Sequence, residues 1–258
     1  MPWRHVALDG AVNLRDFGGY RSADGLAVRR GRLFRSGTLA HLPGPAQREF
    51  LRLDVRLICD LRRPDERAEE PTPFPDGAPR RLEIPIDPGS ALVMRQRLGS
   101  ARLSLAERID FMVAINRELA RDHADDYARM FAGLLELDEG GFLVHCSAGK
   151  DRTGFACALV LHALGVDQRT VVEDYLLTNE AMDYEGYVLP RLAARFEPAE
   201  IPDRESVMAL AGVRPEYLEA AYQAIVAEFD GVEHYLERAV GLDAAARRTL
   251  RERLLEKV

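Results

Sequence analysis

Cys146 and Arg152 stand six positions apart in the stretch HCSAGKDRTG, residues 145–154, between the apolar runs GFLV and FACALVLHALGV. A strand that stops, turns through glycine and starts a helix leaves backbone amides pointing into the turn, and the helix dipole adds to their attraction for an anion. Arg152 can fork two parallel hydrogen bonds onto two oxygens of a phosphoryl group, a geometry that lysine does not reproduce. Cys146 opens the same cradle, where amide dipoles and a guanidinium favour the nucleophilic thiolate. An ordinary thiol, with a pKa near ~8.5, is a few per cent ionised at neutral pH, so full ionisation gains only about 30-fold. The larger obstacle is repulsion between thiolate and phosphoryl oxygen, about 4 kcal/mol at ~4 Å and an effective dielectric of ~20. Arg152 and the amides from Ser147 to Arg152 would offset it and align phosphorus with sulfur.

The remaining loop residues fit that chemistry. Ser147, Ala148, Gly149 and Lys150 complete the anion cradle, with Gly149 free to take a positive backbone dihedral in the tight turn. Thr153 offers a hydroxyl to hydrogen-bond the sulfur and assist its departure from a phosphocysteine. His145 precedes the cysteine on the strand, so its ring points to the opposite side. It is expected to brace the loop through hydrogen bonds, not to serve as the base of a protease dyad.

HCSAGKDRTG resembles the H-C-x5-R-[S/T]-G loop of the cysteine-dependent protein-tyrosine phosphatases, and in particular their bacterial atypical dual-specificity and lipid-phosphatase branch. NLRDFGGY at 13–20, RLFRSGTL at 32–39, DYLLTNE at 174–180 and VRPEYLEAAYQAI at 213–225 extend the likeness over nearly the full chain. The resemblance implies a phosphomonoesterase acting on phosphotyrosine, with phosphoserine, phosphothreonine and phosphoinositides as further substrates. It implies no metal or other cofactor. It also implies a general acid inside the loop, the place occupied by Asp151, since the only tryptophan is Trp3 and no Trp-Pro-Asp segment exists. Asp60, ending VRLICDLR, is the rival acid or else a carboxylate that orients Arg62 or Arg152; Asp87 in IPIDP is a third candidate. Lys150 would either hold a second phosphate of an inositol ring or solvate the loop mouth. A helical lid would cover the site over 90–123, with Met94, Leu98, Leu103 and Met112 facing the pocket. The non-enzymatic alternative is a module that binds phosphopeptides or phosphoinositides with the same loop but no turnover.

The elements that position these residues are legible as a pattern. VRLICDLR at 55–62, RRLEIPI at 80–86 and GFLVHC at 141–146 read as strands separated by helical stretches, the pattern of an α/β fold with a small, mostly parallel sheet flanked by helices. Asp-Gly at 24–25 marks a hairpin near the N-terminus, and a helix is expected around 43–53. Ser104-Leu-Ala-Glu107 has the form of a capping box that starts a helix, and everything beyond 152 reads as helix. The expectation is one phosphatase domain over 1–258, with 203–258 a helical C-terminal region. The charge run RRPDERAEE at 62–70 reads as a solvated loop or short helix, Asn13, Arg15 and Asp16 as turn residues, and Tyr184, Tyr187, Tyr217, Tyr222 and Tyr235 as packing between helices.

Composition narrows the partners. The 258 residues are 47% hydrophobic and 30% charged, enough apolar material for a sizeable core. A net charge of −7 argues against nucleic acid as a partner. No run approaches the ~18 apolar residues of a membrane span, so no stable membrane insertion is expected. Cys59, Cys146 and Cys157 form no C-x-x-C pair, and the histidines show no metal-ligand spacing. A reducing, cytoplasmic compartment follows as the expectation, with export by a route that needs no signal left open. Cys157 reads as a small core residue, and Cys59 as a structural thiol or the partner of a protective disulfide with Cys146.

Overall fold

The computed structural model describes residues 5–74, 79–98, 103–194 and 196–257. Its strands, in chain order, are β1 (Arg15–Asp16), β2 (Ala27–Val28), β3 (Leu33–Ser36), β4 (Val55–Asp60), β5 (Arg80–Glu83), β6 (Gly141–His145) and β7 (Leu255–Glu256). Five of them form one sheet in the order β1-β3-β6-β4-β5. β3, β6, β4 and β5 run parallel, and β1 lies antiparallel along one edge. All five residues of the central strand β6 are buried, as befits a parallel strand covered on both faces.

The helices are α1 (Gly44–Leu51), α2 (Pro64–Glu69), α3 (Gly89–Leu98), α4 (Leu105–Asp122), α5 (Ala124–Leu135), α6 (Asp151–Ala163), α7 (Gln168–Leu176), α8 (Thr178–Ala181), α9 (Leu189–Ala193), α10 (Arg204–Ala211), α11 (Pro215–Phe229), α12 (Val232–Arg238) and α13 (Ala244–Leu254). Strand alternation sends Leu33, Leu57, Cys59, Phe142 and Val144 into the main core, with residues of α4, α5, α6 and α11. Phe34, Ile58 and Leu143 enter a smaller core on the other face, where Phe50 of α1 stacks on Phe74 at 4.7 Å. Helix α6 is apolar nearly all round because it lies inside the main core.

The α/β architecture is therefore the expected one, and the capping box holds: Glu107 N donates to Ser104 Oγ at 3.3 Å, and Ser104 N to Glu107 Oε2 at 2.9 Å. One expectation changes. The chain after 152 is not helical throughout, because β7 pairs with β2 as a separate two-stranded ribbon, too short to leave a hydrophobic pattern. Over 90–123, Met112, Ile115 and Leu119 of α4 and Ala91 of α3 belong to the main core, α3 packs on α4, and both helices contribute to the pocket wall. Among the described residues, no helix is long and apolar enough to cross a membrane.

Candidate active site

The phosphate loop forms where β6 ends and α6 begins, at the carboxyl edge of the parallel strands, where open α/β sheets gather their ligands. Cys146 follows directly on β6 and is buried at the base of the loop. The first amide of α6 to bond back into the chain is that of Gly154, to Lys150 O at 2.8 Å. The amides from Ser147 to Thr153 donate to no acceptor among the described residues, as expected where a turn leads into a helix start. Gly149 has φ +68°, and a Cβ there would lie 2.4 Å from Ser36 O, so only glycine fits. Gly154 is required for packing instead: a Cβ would meet the Tyr175 ring at 2.7 Å.

Arg152 leans out of α6 toward β4 and α2. Its Nη1 donates to Glu66 Oε2 at 2.8 Å and its Nη2 to Glu66 Oε1 at 2.9 Å, with Leu61 O and Ile86 O at 3.2 and 3.3 Å from Nη1. This end-on fork fixes the guanidinium plane. Burial works against the Arg152 charge, but the Cys146 sulfur and the Glu66 carboxylate outweigh it and hold its pKa above the usual range. Burial would raise Glu66, yet Arg152 dominates and brings it down to about 2. Glu66 also accepts from Ser147 Oγ at 2.8 Å, tying the loop to α2. The charge run at 62–70 is thus a short helix as expected, but one of its carboxylates is part of the site and not merely solvated.

Lys150 is largely buried but lines the pocket, with Nζ 2.7 Å from Asp151 Oδ2 and 4.0 Å from Met112 Sδ, so Asp151 is its nearest counter-charge. Asp151 lines the pocket. Asp60 does not: it is bound by Arg62, Nη2 to Oδ2 at 2.7 Å, and faces His145 Nε2 at 3.5 Å. Burial alone would raise the Asp60 pKa, but His145 and Arg62 hold it well below the carboxylate range. Asp60 thus pairs with Arg62 and lies outside the pocket lining. His145 Nδ1 lies 3.3 Å from Cys146 O. Thr153 Oγ1 is buried and has no hydrogen-bond partner among the described residues.

Above the loop lies a cavity of about 410 Å³. One wall is apolar, with Ile86, Met94, Met112 and Leu210; the other carries Tyr187 with the Arg191 guanidinium 3.7 Å from its ring centre. Tyr187 therefore belongs to the pocket and not only to helix packing. Asp87 also lines the pocket, 41% exposed and 3.8 Å from Arg63 Nη1. Leu103 is buried outside the lining, and the Leu98 side chain lies outside the described ones. A larger groove of about 780 Å³, between α13 and the β2–β7 ribbon, contains none of the loop residues.

Cys59 is a core thiol whose pKa burial raises, and Cys157 is pushed up to about 12 by the same cause. The register pairs Cys59 with Val144, two residues short of Cys146. Cys59, Cys146 and Cys157 are all free thiols.

A buried cysteine, an open ring of amides and a clamped arginine define a cysteine-dependent phosphatase loop, and the comparisons agree. A sequence model of the tyrosine phosphatase family matches residues 6–256, and the chain belongs to that family of phosphoric monoester hydrolases. A Cupriavidus necator protein, named provisionally as a tyrosine-protein phosphatase, is 36% identical over 94% of this chain and 86% of its own length. The triple specificity protein phosphatase PtpB of Mycobacterium tuberculosis is 31% identical over 96% of this chain and 98% of its own. The crystal structure of P. aeruginosa TpbA, 20% identical, covers 85% of this chain and 96% of that one with a TM-score of 0.33.

Proposed function

We propose that this chain is a single phosphatase domain that hydrolyses phosphotyrosine in proteins through a phosphocysteine on Cys146. The observation that carries this reading is the loop itself: Cys146 at its base, the amides of Ser147 to Thr153 without acceptors, and Arg152 clamped beside them. The Cys146 thiolate attacks phosphorus, an S–P bond forms, and the ester P–O bond breaks. The leaving oxygen takes a proton from Asp151. Water then attacks the phosphocysteine, Asp151 takes its proton, and inorganic phosphate and thiolate are released. Arg152 and the loop amides neutralise the equatorial oxygens throughout, and the Thr153 hydroxyl stabilises the departing sulfur.

The pocket favours an aryl ester with one phosphate. Its apolar wall and Tyr187 suit an aromatic ring. Each cation lining it already has a carboxylate among the described residues: Arg63 with Asp65, Lys150 with Asp151, Arg152 with Glu66 and Arg191 with Glu70. A second phosphate of an inositol ring would have to break one of these pairs. Phosphate release from phosphotyrosine, phosphoserine and phosphothreonine peptides and from phosphoinositide vesicles tests the reading. Phosphotyrosine should turn over fastest and Cys146→Ser should abolish all release. Equal or faster turnover of the phosphoinositides would overturn the substrate assignment, and release that survives Cys146→Ser would overturn the mechanism.

A further inference from the structure

Three stretches far apart in sequence meet beneath the phosphate loop. Asn13 and Arg15 come from the N-terminal segment and β1, Arg35 from β3, and Asp174 and Thr178 from α7 and α8. The Gly149 carbonyl accepts from Asn13 Nδ2 at 2.8 Å and from Arg35 Nη2 at 3.0 Å, and the Ala148 carbonyl from Asn13 Nδ2 at 3.4 Å. Arg15 Nη1 donates to Asn13 Oδ1, which fixes the amide with its oxygen toward Arg15 and its nitrogen toward the loop. Asp174 accepts from Arg35 Nη1 and from the Tyr20 hydroxyl, each at 2.9 Å. Arg15 Nη2 reaches Asp174 O at 3.1 Å and Thr178 Oγ1 at 3.2 Å. Asn13, Arg15, Arg35 and Asp174 are all buried, and none lines the pocket.

A trans peptide holds its C=O and N–H on opposite sides. Drawing the Ala148 and Gly149 carbonyls toward this cluster therefore turns the N–H groups of Gly149 and Lys150 the other way, into the bowl. The cluster also sets two guanidiniums against one carboxylate, in surroundings where an unmatched charge is costly. Burial first, and Arg35 second, bring the Arg15 pKa down to about 10. An oxyanion held in the loop above would match the surplus charge.

We infer that Asn13 and Arg35, held in turn by Arg15 and Asp174, are positioning residues of the phosphate loop: they aim the amides of Gly149 and Lys150 at the phosphoryl oxygens and bias the loop toward its anion-bound form. The inference rests on the reading of this loop as the phosphoryl site. A brace that served the fold alone would lower thermal stability when cut and leave the anion affinity of the folded protein unchanged.

Asn13→Asp separates the two. It keeps the size of the side chain and an acceptor for Arg15, but it faces the Gly149 carbonyl with a carboxylate in place of a donor and cancels the surplus charge. The folded variant should lose about 10²-fold in kcat/KM on an aryl phosphate, the scale of one oxyanion donor, and bind vanadate at least tenfold more weakly, while Arg35→Lys, which keeps the charge, should lose less. Unchanged vanadate inhibition in folded Asn13→Asp would overturn the inference. Should that variant not fold, the wild-type protein suffices. On titration with inorganic phosphate, the amide protons of Gly149 and Lys150 should show the largest downfield shifts of the loop, and their indifference to phosphate would overturn the inference equally. A wild type without Cys146-dependent turnover would instead count against the phosphatase reading.

Discussion

The Glu66 carboxylate and the Arg152 guanidinium lie face to face across 86 positions of sequence, with both oxygens and both terminal nitrogens engaged at 2.8 and 2.9 Å. The pair joins α2 to the first turn of α6 and fixes the plane in which Arg152 meets a phosphoryl group. Glu66→Gln keeps the shape and one acceptor but removes the charge. It should lower kcat/KM by about 10- to 100-fold, mainly through kcat, because orientation counts most where the charge is greatest. Steady-state kinetics on an aryl phosphate check this, and a wild-type kcat in Glu66→Gln would show that the clamp is dispensable.

Of the carboxyls that line the pocket, Glu66 and Glu70 are held by Arg152 and Arg191, and Asp151 and Asp87 are the two that the sequence marks as acids for the leaving group. Asp151→Asn should slow alkyl phosphates by 10²-fold or more, within the usual span of general acid catalysis, and activated aryl phosphates far less. Asp87→Asn should spare the alkyl substrates. The opposite pattern in a comparison of leaving groups would transfer the acid role to Asp87.

How much of this was legible in the sequence follows from distance along the chain. The loop could be read because nucleophile, arginine and glycine occupy one continuous stretch between an apolar strand and an apolar helix. The clamp could not. Glu66 lies in a run, RRPDERAEE, whose composition suits a solvated helix equally well, and only the parallel pairing of β4 with β6 brings it beside Arg152. Asn13 and Arg15 read as turn residues because a polar pair so close in sequence usually bonds locally; they do bond each other, but each also has a partner more than 130 positions away that no local pattern announces. The burial of Lys150 beside Met112, a residue of another helix, leaves no mark on the local pattern of the loop. The two-residue strand β7 is too short to carry any period.

Acid stability should report His162. The ring is buried in α6, its Nε2 2.9 Å from the Tyr222 hydroxyl, and burial brings its pKa from 6.5 down to about 4. The unfolded chain therefore takes up this proton first as pH falls. Stability is fully present above pH 6.5 and declines between 6.5 and 4, by up to about 3 kcal/mol at ~1.4 kcal/mol per pH unit. Denaturant unfolding at stepped pH should show that slope in the wild type and a shallower one in His162→Gln. The same slope in both would assign the decline to other groups.

The most direct measurement is to trap the intermediate. Asp151→Asn, mixed rapidly with an activated aryl phosphate and quenched in acid, should accumulate one phosphoryl group per chain, because the water that hydrolyses phosphocysteine has lost its base. Mass analysis should place that group on the peptide containing Cys146, and the Cys146→Ser protein should carry none. Phosphoryl transfer to any other residue, or steady turnover by a protein lacking the Cys146 sulfur, would contradict the mechanism at its root.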